Sequence, residues 1–130
     1  MPMTDDERQA FFQEPHYATL ATINRDGSPQ QTTVWYRFIE DKIEITSMGD
    51  SVKAKNIRRD GRVSISIVDG ANPFRLVVVK GTAELSTENL DELRRGLALR
   101  YMGPERGEEF ASRPPVGDRV KIVITPERYR

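Results

Sequence analysis

The chain has 130 residues, with 20 basic and 20 acidic side chains, one histidine and no cysteine. Disulfides, thiolate nucleophiles and thiolate-held metals are thereby excluded, and His16 alone provides neither a histidine metal cluster nor a histidine-centred triad within one chain. Balanced charge favours no polyanionic partner. No apolar stretch approaches the ~20 residues of a membrane span, and the acidic start MPMTDDERQ is the opposite of a secretion signal. The expectation is a soluble, cytoplasmic protein whose residues 1–130 form one domain.

Thr4-Asp5-Asp6-Glu7 has the spacing of a capping box, so a short helix through Phe11 and Phe12 should follow and end before Pro15. Tyr17–Ile23 reads as a strand, and Asn24–Ser28, with Gly27, as a hairpin loop. Gln30–Ile39 continues as one longer strand with two faces. Gln31, Thr33, Trp35, Arg37 and Ile39 point one way, and Thr32, Val34, Tyr36 and Phe38 the other. Glu40-Asp41 turns the chain into a strand at Lys42–Ser47, which leads through Met48-Gly49-Asp50 to a brief helix at Lys53–Arg59. Asp60-Gly61 breaks that helix, and a strand at Arg62–Asp69 follows. Gly70–Pro73 forms a loop, and Phe74–Leu85 is the longest apolar run, with Gly81 a candidate bulge.

Ser86 or Thr87 is placed to cap a second helix whose apolar face carries Leu90, Leu93, Leu97, Ala98 and Tyr101, and Gly103-Pro104 stops it. Residues 105–117 are charged and proline-containing and have no assigned element. Arg119–Thr125 is a last alternating strand, ended by Pro126. Tight links imply antiparallel pairing. The fold class is mainly β, a six-stranded antiparallel split β-barrel with accessory helices.

The chemistry concentrates at Thr46–Ser66. From Asp50 to Arg62 there are five Lys or Arg residues against two Asp. A helix that starts just after a strand aims unpaired N–H groups and a positive dipole end at whatever sits there. Lys53 and Asn56 are neighbours on its surface. A phosphate seat and a solvated connector both remain open at this point. HExxH, CxxC, GxGxxG and Walker loops are missing. An enzyme built on this chain therefore relies on a bound cofactor for the difficult chemistry. Trp35, the one tryptophan, is either a core or interface aromatic or the flank of a flat ring system whose polar edge meets the backbone at Thr33-Val34-Trp35. Phe74 either closes over such a site or is an ordinary barrel-end aromatic. The basic run has no interleaved aromatics, so nucleic acid is not expected as a partner.

The ordered series HYATLATINRDGSPQQTTVWY, KIEITS, SVKAKNIRRDGRVSISIVD and VVVKGTAEL resembles the pyridoxamine-5′-phosphate-oxidase-like flavin-binding split-barrel superfamily. It is most similar to the deazaflavin-dependent branch, which uses coenzyme F420. The resemblance implies a homodimer with the cofactor at the subunit interface and hydride transfer between reduced cofactor and a small conjugated acceptor. By the same resemblance Lys53 first, then Asn56, Lys55 and Ser51, hold the cofactor phosphate. Thr33, Val34 and Trp35 run along the ring system, and Thr46, Ser47 and Met48 lie near it. Arg37 is a candidate to polarise the acceptor. An FMN-dependent oxidase or reductase is the nearer alternative, and a non-enzymatic flavin- or haem-binding module the more distant one. The chain departs from the family at Gly61, where a proline is usual.

Overall fold

The computed structural model describes residues 3–130. Among them, seven strands form one antiparallel sheet: β1 (Ala18–Ile23), β2 (Pro29–Val34), β3 (Arg37–Ile39), β4 (Lys42–Met48), β5 (Arg62–Asp69), β6 (Asn72–Ser86) and β7 (Arg119–Tyr129). The helices are α1 (Asp5–Phe12), α2 (Val52–Arg59), α3 (Leu90–Met102) and α4 (Pro104–Ser112). The strand order is β2-β1-β5-β6-β7-β4-β3.

The two outermost strands of this sheet are consecutive in sequence. Only Trp35 and Tyr36 separate β2 from β3, and the three residue steps from Val34 to Arg37 reach at most about 11 Å. The sheet therefore has to curl until its edges nearly meet, which makes it a barrel with a seam. This is why the expected single strand Gln30–Ile39 is two strands, and the barrel has seven rather than six. Backbone groups released at the seam find a partner in α3. The Tyr101 hydroxyl accepts from the Tyr36 N–H (3.2 Å) and donates to the His16 carbonyl (2.6 Å).

The alternation predicted across the seam is observed, with Val34, Tyr36 and Phe38 all buried. They meet Leu20, Ile43, Ile45, Ile65, Ile67, Val79, Ile122 and Ile124 in the barrel interior, each 0–1% exposed. Full burial of such a side chain is worth about 1.5–3 kcal/mol. Helix α1 adds Phe11 and Phe12 to this core, the second stacked on Phe38 at 4.4 Å. Its expected capping box is present, with Glu7 N–H donating to Thr4 Oγ1 and Thr4 N–H to Glu7 Oε1, both at 3.1 Å.

Several boundaries differ from the sequence reading. Helix α3 begins after Asn89, which has φ 55°, and the Ser86 hydroxyl instead accepts from Glu88 N–H to close a turn. Strand β7 runs through Pro126 because the register shifts at Gly81, and a proline is tolerated at a bulge where its missing N–H is not needed. A Cβ at Gly81 would sit 2.2 Å from the Thr125 carbonyl oxygen, so only glycine allows that approach. The unassigned segment contains α4, started by Pro104 at its first helical position. Gly107 lets α4 lie close on α3, since a Cβ there would meet Ala98 O at 2.7 Å.

Arg37 is a structural anchor, a correction to its candidate role at the acceptor. Its guanidinium binds Glu44 (2.7 Å) and Glu92 (2.5 Å), and Lys121 reaches the other Glu44 oxygen at 3.3 Å. Glu44 and Lys121 are buried, so this network fastens α3 to β3, β4 and β7.

Candidate functional site

The site grows from the junction of β4 and α2. Ser51 caps the helix by accepting from Ala54 N–H (3.1 Å), and its hydroxyl lies 2.7 Å from that of Ser47 on β4. The strand end thus fixes where the helix starts. Its first-turn N–H groups at Val52 and Lys53 precede any helical carbonyl that could receive them. Lys53 rises from that turn, half-buried, into a hollow of about 310 Å³ shared with Tyr17, Thr33, Val34, Trp35 and Thr46. Burial, and then the nearby charge of Arg119, lower the Lys53 pKa from the ordinary lysine value of 10.5. Lys53 has no carboxylate partner among the described residues.

Arg119 opens β7. Pairing of β7 with β4 sets Met48 opposite Arg119. Its guanidinium donates to Thr46 Oγ1 (3.2 Å) and lies 3.3 Å from Met48 Sδ. Its Nε is buried without a hydrogen-bond partner. Thr46 borders the Lys53 hollow and two more. One, of about 350 Å³, is walled by Trp35, Leu97, Phe110, Pro114 and Val116 with Arg94, Arg113 and Arg119. The other, of about 590 Å³, lies among Gly49, Asp50, Arg58, Leu90, Arg94, Asp118 and Arg119. Together they form a groove from the start of α2 to the space beneath α3 and α4.

Trp35 borders two of these hollows, but one face of its indole is stacked on Tyr101, with centroids 4.8 Å apart and planes 7° apart. It is packed through one indole face and borders the groove.

Not every predicted residue gathers here. Asn56 points inward and is 3% exposed. Its amide donates to Thr22 Oγ1 and Asn24 Oδ1, both at 3.0 Å, and accepts from Arg59 at 2.9 Å. The residue clasps α2 to β1 and retains no donor for a phosphate. Lys55 is exposed and borders none of the three hollows. Ser47 is buried and acts through its bond to Ser51. Phe74 is 93% exposed and borders a separate depression with Met3, Leu76 and Tyr129. Sequence reasoning missed Arg119, Arg94 and Tyr17. Arg119 and Thr46 are 73 residues apart, and no local pattern announces that contact.

A second titratable cluster lies away from the groove. Arg75 bonds Glu14 (2.5 Å) and Asp69 (3.2 Å), and His16 lies 2.7 Å from Glu14. Glu14, His16 and Asp69 are close enough to share a cation, but the guanidinium already occupies that role. Arg75, followed by His16, draws the Glu14 carboxyl down to about 2.

The groove suits a ligand with an anionic group and a flat body. A helix N-terminus beside a lysine with no carboxylate partner among the described residues favours an anion, and Arg119 adds a second positive charge close to it. None of the helices among the described residues is long and apolar enough to cross a membrane.

A curled antiparallel sheet whose edge strands are joined by two residues defines a split-barrel type of protein, and the chain belongs to the pyridoxamine 5′-phosphate oxidase family, whose profile matches residues 4–130. Over 126 residues it is 32% identical to the F420H(2)-dependent biliverdin reductase of Mycobacterium tuberculosis, covering 95% of this chain and 84% of that protein. Its structure is similar to that of an F420 reductase, with TM-score 0.82, 28% identity and coverage of 100% and 98% of the two chains. It is also similar to a conserved hypothetical protein from Mycobacterium tuberculosis, with TM-score 0.85, 32% identity and coverage of 100% and 84%.

Proposed function

We propose that this protein is a deazaflavin-dependent reductase that binds coenzyme F420 in the groove and reduces a small conjugated acceptor. The observation that carries the reading is the half-buried, carboxylate-free Lys53 at the open start of α2, beside the strand edge Thr33–Trp35. The names of the similar reductases support F420 over FMN. Such a cofactor brings two-electron hydride donation, and the acceptor also takes up one proton.

The chain's own residues bind and orient. Lys53 and the first-turn N–H groups hold the phosphate, where the helix dipole already favours an anion. Exposed Thr33 on the edge strand β2 and half-buried Trp35 give the ring system an edge to lie along. Thr46 holds Arg119 at the centre of the groove. The Trp35–Tyr101 stack fixes the wall between the hollows, so orientation costs little reorganisation on binding.

The reading includes a homodimer. Tyr17 borders the Lys53 hollow and is 61% exposed, and Val52 in the first turn of α2 is 51% exposed. A second copy laid over them would cover apolar surface and exclude water from the groove. Light scattering should return twice the 14.8 kDa chain mass.

The test is a titration of purified protein with F420 and with FMN, followed through Trp35 fluorescence, and then oxidation of reduced F420 by a conjugated acceptor. Tighter binding of F420 and acceptor-dependent oxidation are expected. Tighter binding of FMN, or of neither, would refute the reading.

A further inference from the structure

The 350 Å³ hollow has a composition that the cofactor does not account for. Its wall is apolar, built from Trp35, Leu97, Phe110, Pro114 and Val116, the last 80% exposed at the rim. Among the described residues its charged members are all guanidinium groups, Arg94, Arg113 and Arg119, and no acidic side chain borders it. Arg113 is neutralised by Glu109 at 2.6 Å. Arg94 is not, because it spends its donors on the carbonyls of Phe110, Ala111 and Arg113 at 3.0–3.2 Å. Arg119 is not, because among the described residues its guanidinium bonds Thr46 and Met48 and pairs with no carboxylate. In a chain with equal numbers of acidic and basic residues, two uncompensated guanidiniums bordering one hollow are a local choice.

We infer that this hollow is the acceptor site and that Arg119 selects acceptors bearing a carboxylate on a flat, apolar conjugated body. The inference rests on the reading of the protein as an F420-dependent reductase.

A bare inorganic anion would gain nothing from the apolar wall. A neutral aromatic would leave the Arg119 guanidinium without a counter-ion in an apolar-walled site, and a site built to pair a polar group rejects the analogue that lacks the partner. The planar guanidinium matches a carboxylate in two-point geometry. A hollow of this size lies at the small end of ordinary ligand sites. It shares Trp35 and Thr46 with the Lys53 hollow, so an acceptor held there lies next to the cofactor seat. Arg119 is a specificity residue in this scheme. It takes up no proton and donates none.

The experiment uses trans-cinnamate and its neutral isostere cinnamamide as probes, in titration calorimetry on the wild-type protein preloaded with F420. Cinnamate should bind at least about tenfold more tightly than the amide. In Arg119→Gln that preference should vanish, through loss of cinnamate affinity with amide affinity little changed, while Arg119→Lys should retain part of it. Circular dichroism checks that each variant is folded, and the wild-type pair needs no variant at all. Equal affinities for the two probes, or no binding of either to F420-loaded protein, overturn the inference and leave the reductase reading standing. Failure to load F420 in the first step overturns both. A preference that persists in a folded Arg119→Gln protein also overturns the assignment.

Discussion

Lys53→Ala is the substitution on which the phosphate seat stands or falls. The ammonium is half-buried, has no carboxylate to satisfy it and sits where the first-turn N–H groups of α2 add a positive field. A hydrogen bond to a charged group in such a setting is worth about 1.5–3 kcal/mol. At 1.4 kcal/mol per decade, its loss should weaken F420 binding roughly tenfold to a hundredfold. Stability of the cofactor-free protein should not fall and could rise slightly, since the mutation removes a desolvated charge held beside Arg119. The assay is fluorescence titration of wild type, Lys53→Ala and Lys80→Ala, the last an exposed lysine on β6 that borders none of the three hollows. Arg94 would be a poor control, because it borders the groove. The lowered Lys53 pKa adds a second signature: affinity should decline as pH rises towards it, because the anion seat loses its charge. Unchanged affinity in Lys53→Ala at several salt concentrations would refute the reasoning.

Asn56→Ala should behave in the opposite way, costing about 1–3 kcal/mol of stability by stranding buried Thr22 and freeing α2 from β1; a melting temperature equal to that of wild type would contradict the clasp. Tyr101→Phe removes the hydroxyl that serves the seam and should also cost about 1–3 kcal/mol. Wild-type denaturant stability in that variant would show that water serves the seam instead. Glu14 has its folded pKa depressed from 4.5 to about 2, so its ion pairs stabilise the protein above pH 4.5 and are lost as pH falls from 4.5 towards 2. Glu14→Gln should flatten that part of the acid unfolding profile, and an unaltered profile would count against the pairing.

Much of the scaffold was legible locally. The capping box at Thr4 and Glu7, the alternation of Val34, Tyr36 and Phe38, the bulge at Gly81 and the placement of α2 after β4 depend on residues within a few positions of each other. Resemblance across these segments reached the right family, and the Lys53 hollow does contain Thr33, Val34, Trp35 and Thr46. Tertiary structure alone decided the rest. Strand alternation reports which face is apolar, but not that two consecutive strands lie at opposite edges of one sheet, so the seam at Trp35-Tyr36 was invisible. Helical spacing makes Lys53 and Asn56 neighbours without saying that one faces a hollow and the other clasps β1. Arg119 entered the groove only through the pairing of β7 with β4, because side chains 73 residues apart meet by sheet register, which the whole barrel sets at once.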